Sequence, residues 1–229
     1  MDRRKQIVHD NQGGELIYMI YLSSDWHLIK WNDGVEALNK ERFEIILSQL
    51  DQATKYDQLI FLGDMFDAEI DPDRYVCDEI RKRISKFYKP IFIRGNNDTQ
   101  SDEFYKDFLG FFKVEFATTI NYNQKIILLS HTSVMAGNKI NYVVHGHIHR
   151  ANSDPDTIKY YHPADNCINL CTKEEREIYL TPIQNIDFEA EVKRNCAYNP
   201  DKREKPGMSQ FIQNQVYGFL KREFYNEDH

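Results

Sequence analysis

Apolar runs and polar breaks alternate along this chain. Leu16-Ile17-Tyr18-Met19-Ile20-Tyr21-Leu22 is a near-continuous apolar run, the pattern of a strand buried on both faces. Over residues 35–53, Leu38, Phe43, Ile46, Leu47 and Leu50 follow helical spacing, and Asn32-Asp33-Gly34 just before offers a turn and a helix N-cap. Residues 58–62 form a second strand. Asp71-Pro72 then reads as an N-cap with proline at the first helical position, and Val76, Ile80, Ile84 and Phe87 make a stripe at steps of four and three. Lys89-Pro90 stops that helix and Ile91-Phe92-Ile93 follows as the third strand. The order β-α-β-α-β predicts a largely parallel sheet.

The second half reads differently. A short helix over 102–109 gives way to strand-like segments near 114–116, 118–122, 125–130, 142–145, 157–161, 166–171 and 177–180. Strands in such close succession predict a second mixed or antiparallel sheet packed on the first. From Asn185 the composition shifts, and residues 199–207 form a polar, proline-flanked linker. Beyond it, Phe211, Ile212, Val216, Phe219, Leu220 and Phe224 make an amphipathic stripe, read as a helix packing on the domain; a homodimer or partner contact is the alternative. The expected division is a disordered lead-in over 1–14 without a signal-peptide core, a domain over 15–184, and an extension with an amphipathic helix over 185–229.

Composition narrows the picture. With 41% hydrophobic and 13% aromatic residues, the chain has enough apolar surface for a sizeable core. A net charge of −7 and a pI near 5.6 argue against general affinity for nucleic-acid backbone. Two bound divalent cations would weaken that argument by bringing roughly four positive charges into a cleft. No apolar run approaches the roughly 20 residues of a membrane span. Cys77, Cys167, Cys171 and Cys196 have neither metal-type nor redox spacing and read as buried free thiols, which points to a reducing, cytoplasmic setting.

The chemistry lies where the apolar runs end. Asp25-Trp26-His27, Gly63-Asp64-Met65-Phe66-Asp67, Gly95-Asn96-Asn97-Asp98, His131 and Gly146-His147-Ile148-His149 each follow a strand-like run. Open α/β sheets carry their sites at the carboxyl ends of strands, so the five clusters predict one site. Asp25, His27, Asp64, Asn96, His131, His147 and His149 offer carboxylate, imidazole and amide donors without a thiolate. That set suits Mn²⁺ first, with Fe, Zn²⁺, Ni²⁺ or Co²⁺ as alternatives, over soft-metal or all-oxygen Ca²⁺ sites. Seven protein ligands are too many for one ion and suit two divalent ions about 4 Å apart, bridged by a carboxylate. Such a pair can clamp a phosphoryl group and make hydroxide from water near neutral pH.

In order and spacing, these motifs resemble the calcineurin-like metallophosphoesterases over about residues 16–182. The resemblance implies an α/β fold, a four-layer αββα sandwich of two mixed β-sheets flanked by helices. It assigns Asp25, His27, Asp64 and His149 to one metal, and Asp64 as bridge, Asn96, His131 and His147 to the other. Asp64, Asn96, Asp98 and His131 become the catalytic set. Asp67 is followed by Ala68-Glu69, which departs from the Ser/Thr phosphatase branch. Many members carry histidine where this chain has Asn97, and an amide cannot protonate a leaving group. Arg94, Asn97 and Arg150 are candidate substrate contacts, with surface charge the competing reading for both arginines. The expected function is a metal-dependent phosphoesterase, a phosphodiesterase or small-nucleotide phosphatase using metal-activated hydroxide on a small phosphate ester. A nuclease is a disfavoured sub-branch. The reading from another class is a non-catalytic protein-interaction scaffold on the same fold.

Overall fold

A computed structural model describes residues 19–32, 35–66, 72–134, 136–146, 166–170, 179–196 and 208–225. In chain order its strands are β1 Ile20–Ser23, β2 Ile29–Asn32, β3 Val35–Leu38, β4 Gln58–Leu62, β5 Ile91–Ile93, β6 Lys113–Glu115, β7 Ala117–Tyr122, β8 Lys125–Ser130, β9 Tyr142–His145, β10 Cys167–Asn169 and β11 Thr181–Pro182. The α-helices are α1 Lys40–Leu50, α2 Arg74–Ile84, α3 Phe188–Cys196 and α4 Met208–Leu220. π-helical turns at Phe104–Phe108 and Lys221–Tyr225 add to these.

Alternation of side chains along the strands sets the layers. In β4, Leu59 and Phe61 face one way and Ile60 and Leu62 the other; in β5, Phe92 and Ile93 divide the same way. Both sets are buried, so this sheet must be covered on both faces. On the outer face, Leu59, Phe61 and Phe92 meet Phe43, Ile46 and Leu50 of α1, Val76, Ile80 and Ile84 of α2, and Tyr105. On the inner face, Ile20, Leu22, Ile60, Leu62 and Ile93 pack against Ile127, Leu129, Val144 and Ile168 of a second sheet. The far face of that second sheet presents Leu128, Val143 and Cys167, which Ile212, Val216 and Leu220 of α4 cover. The result is a four-layer αββα sandwich with the C-terminal helix as its outer layer. Ile212, Val216 and Leu220 of the amphipathic stripe are therefore spent on packing, while Phe211 at its start stays exposed.

The first sheet has the order β11-β1-β4-β5-β6, with β1, β4, β5 and β6 parallel and β11 antiparallel on the edge. The second has the order β10-β9-β8-β7, with β8, β9 and β10 parallel and β7 antiparallel. Both sheets are mixed.

Several local expectations change. Residues 35–38 are not helical: β2 and β3 form an antiparallel hairpin pairing Asn32 with Val35. The Asp33-Gly34 step between them is the two-residue hairpin signal. Helix α1 starts later, capped by Asn39, whose side chain accepts from the Arg42 N–H at 3.0 Å. Asp73 rather than Asp71 caps α2, accepting from the Tyr75 N–H at 2.7 Å. Strand β6 joins the first sheet beside β5 instead of the second. Residues 177–178 of the last expected strand, and the whole strand expected near 157–161, lie outside the described residues; 179–180 are not strand, and β11 follows at Thr181–Pro182. Cys77 and Cys167 are buried free thiols, and burial raises the Cys77 thiol to about 11, aided by Asp78 and Asp73. No helix among the described residues is long and apolar enough to cross a membrane.

Candidate metal centre

Because β1, β4 and β5 are parallel neighbours, the loops leaving them emerge at one edge of the sheet, and those after β8 and β9 emerge beside it from the facing sheet. Backbone bonds zip the first two loops together. The Asp25 N–H donates to Gly63 O at 2.9 Å, His27 N–H to Asp64 O at 3.2 Å, and Leu28 N–H to Met65 O at 3.1 Å. This tight path drives Asp25, His27 and Asp64 into the left-handed region, at φ of 55°, 41° and 60°. Each such non-glycine residue costs of order 1–3 kcal/mol, and strain of this kind gathers at functional sites. Gly63, at φ 81°, makes the turn possible; a Cβ there would lie 2.5 Å from Gly95 N and 2.7 Å from His131 Nδ1.

Asp64 is the hub. Its Oδ2 lies 3.8 Å from His27 Nε2 and 3.4 Å from His131 Nε2, and accepts the Asn97 amide at 2.8 Å. Its Oδ1 accepts the Asn97 N–H at 2.9 Å. His27 Nε2 also lies 3.8 Å from Asp25 Oδ1. His131 faces Leu62 O through Nδ1 at 2.7 Å and Asn96 Oδ1 through Nε2 at 2.9 Å. With Nδ1 held by a carbonyl, which can only accept, Nε2 is the nitrogen turned to the cluster, the arrangement common in metal-ligating histidines. Ligand atoms of Asp25, Asp64 and His131, all buried, lie within 4.8 Å of one another.

The electrostatics agree with a cation-seeking site. Burial pushes the Asp64 carboxyl up, but His131 and then His27 overcome this and hold it below the usual carboxylate range. Burial pushes His131 down, yet the Asp64 carboxylate prevails and raises it to about 9. Asp98 is raised to about 6, by burial first and then by the Asp64 charge. Two buried carboxylates and an amide oxygen converging on two imidazole nitrogens are an excess of acceptors. The donor set fits borderline divalent cations, whose charge can replace the proton His131 otherwise needs.

Supporting residues fix these ligands. Asp98 Oδ2 accepts the Asp64 N–H at 2.8 Å and the Gly95 N–H at 2.6 Å, so one buried carboxylate ties the loops after β4 and β5. Arg94, a candidate phosphate contact with surface charge as the competing reading, has its donors engaged within the protein. Its guanidinium pairs with Asp102, donates to Asp98 O and Gln100 O at 2.9 Å each, and sits 5.1 Å from the Tyr105 ring centroid. Asn97 grips Asp64 through its side-chain amide and its backbone N–H. Ser24 was not foreseen: its hydroxyl donates to Asp25 Oδ2 and lies 3.1 Å from Leu62 O. Its place beside Asp25, at the end of a buried strand, was the available signal. Asp67, His147, His149 and Arg150 lie outside the described residues.

Residues 18–147 match the family model described as calcineurin-like phosphoesterase. Among solved structures, the chain is similar to a protein of unknown function from Aquifex aeolicus, with 20% identity, 66% of this chain and 88% of that one covered, and a TM-score of 0.43. It is similar to nuclease MPE from Pseudomonas putida, at 24% identity, 57% and 61% coverage and TM-score 0.40. An archaeal phosphodiesterase shows 16% identity, 66% and 82% coverage and TM-score 0.40. No curated protein matches the sequence.

Proposed function

Because the chain belongs to the calcineurin-like phosphoesterase family, we propose that it is a dinuclear metal-dependent phosphohydrolase, a phosphodiesterase or small-nucleotide phosphatase. The observation that supports this most is the position of Asp64, whose Oδ2 lies 3.8 Å from His27 Nε2 and 3.4 Å from His131 Nε2. A carboxylate so placed suits the bridge between two ions. Asp25 and His27 would serve one ion with His149, and Asn96 and His131 the other with His147. Mn²⁺ is the first choice, with Fe, Zn²⁺, Ni²⁺ or Co²⁺ compatible with the same donors. Ions bound there supply Lewis acidity and lower the pKa of water near the phosphoryl group.

The chain's own residues do the positioning. Asn97 and Asp98 hold Asp64 from opposite sides, one through the carboxylate and one through the backbone. Asn97, an amide, cannot protonate a leaving group, and Asp98 spends its Oδ2 on two N–H donors. Substrates whose leaving groups depart as stable anions are therefore favoured, which places activated phosphodiesters ahead of alkyl phosphomonoesters. In Mn²⁺ titration calorimetry two ions should bind per chain, and Asp64→Asn should abolish both the tight pair and turnover. A single ion, or an Asp64→Asn protein with wild-type turnover, would overturn the proposal.

A further inference from the structure

A groove of about 330 Å³ opens beside Asn96, at the lower end of the roughly 300–1,000 Å³ of ligand sites. One wall is the loop after β5, with Gly95, Asn96, Asp98 and Thr99; the other is Phe116, Phe211 and Ile212, the last two from α4. Asn96 belongs to both places, since its Oδ1 is 2.9 Å from His131 Nε2. The groove thus shares Asn96 with the candidate metal centre.

The wall has specific chemistry. Phe116 and Phe211 lie edge to face, centroids 5.9 Å apart at 81°. Phe211 stays 54% exposed, while Ile212, one residue on, is 4% exposed and locked in the core. The Phe211 ring is therefore available to a ligand without disturbing the packing of α4. Beyond Leu220 the chain is pinned as well, because the Tyr225 hydroxyl donates to Ala136 O at 2.9 Å and Lys139 Nζ to Phe224 O at 2.7 Å. Arg94, the one cationic residue among the described residues of the lining, has its guanidinium turned to Asp102, Asp98 O and Gln100 O. Among the described lining residues no further cation faces a ligand, so the groove suits a flat group that stacks on aromatic rings better than a second phosphate.

We propose that this groove is the subsite for the planar organic group of the ester, a nucleobase, and that Phe211 with Phe116 determines specificity for it. The proposal rests on the phosphohydrolase reading only in placing the phosphate at the centre. It is tested by calorimetric binding of adenosine 5′-monophosphate and ribose 5-phosphate to the Mn²⁺-loaded full chain, since the two ligands share phosphate and sugar. The nucleotide should bind about tenfold more tightly. Phe211→Ala should erase that advantage, Phe211→Trp should keep it, and Phe112→Ala, at an exposed ring outside the groove, should leave it unchanged. Equal affinities in the wild type, or an advantage surviving in Phe211→Ala, would overturn the proposal. A base preference in a protein that hydrolyses no ester would sink the phosphohydrolase reading and leave the subsite standing; turnover without base preference would do the reverse.

Discussion

Asn97 holds both carboxylate oxygens of Asp64, its side-chain amide donating to Oδ2 at 2.8 Å and its backbone N–H to Oδ1 at 2.9 Å. The residue thus orients the proposed bridging ligand in the place where a proton donor is expected in many relatives. Asn97→Ala keeps the backbone donor and loses the amide. Removing a partner that orients a ligand typically costs about 10–100-fold in metal affinity or activity. We expect that loss in Mn²⁺ titrations, and a steeper one for Asn97→Asp, which sets a second carboxylate against Asp64.

Asp98 acts on the backbone. It accepts from the N–H groups of Asp64, Gly95 and, at 3.4 Å, Met65. An amide at this position turns a donor toward one of them. Asp98→Asn should therefore lower stability by about 1–3 kcal/mol, the usual cost of an unsatisfied buried polar group. Denaturant unfolding at neutral pH should show a lower midpoint at unchanged slope.

Gly146 follows β9 directly, and a Cβ there would fall on Ser24 Oγ and Asp25 Oδ2. Gly146→Ala must displace the Asp25 carboxylate. The expected protein is folded by circular dichroism, yet retains little Mn²⁺ after dialysis and turns over no ester. Full metal content in that variant would remove Asp25 from the proposed ligand set.

Asp51, at the end of α1, accepts from Lys86 Nζ at 2.9 Å and pairs with Arg83 Nη2 at 3.0 Å, tying α1 to the end of α2. The Lys86 hydrogen bond, with burial opposing and Arg83 assisting, lowers its carboxyl from 3.8. A depressed folded value means stability present above the unfolded value and lost as pH falls through the folded one. The side chain is 45% exposed, so the pair contributes less than about 1 kcal/mol. Asp51→Asn should be slightly less stable than wild type at neutral pH and low salt, and the difference should vanish in acid.

How much of this was legible in the sequence depends on the range of the interaction. The buried strands β1, β4, β5, β8 and β9 announce themselves as apolar runs, and each clustered residue within the described chain comes from the turn after one of them. Strand β6 has three residues, so its seat beside β5 rests on a long-range pairing that no local pattern encodes. The β2–β3 hairpin was missed because Leu38 continues the helical spacing of α1, although Asp33-Gly34 carried the turn signal. The left-handed conformations of Asp25, His27 and Asp64 are imposed by the bonds between two loops; Asp and His tolerate that region better than most residues, but no local pattern requires it. Arg94 beside a ligand motif reads as a phosphate contact; only the fold shows Asp102 and two carbonyls using its donors.

The most direct test of a dinuclear phosphohydrolase is hydrolysis of bis-p-nitrophenyl phosphate and p-nitrophenyl phosphate by metal-stripped protein before and after Mn²⁺ is restored. The account predicts no turnover when stripped, recovery with Mn²⁺, and a higher kcat/KM for the diester, since Asn97 offers no proton to a leaving group. Turnover that survives stripping, or none of either ester in fully loaded protein, would contradict it.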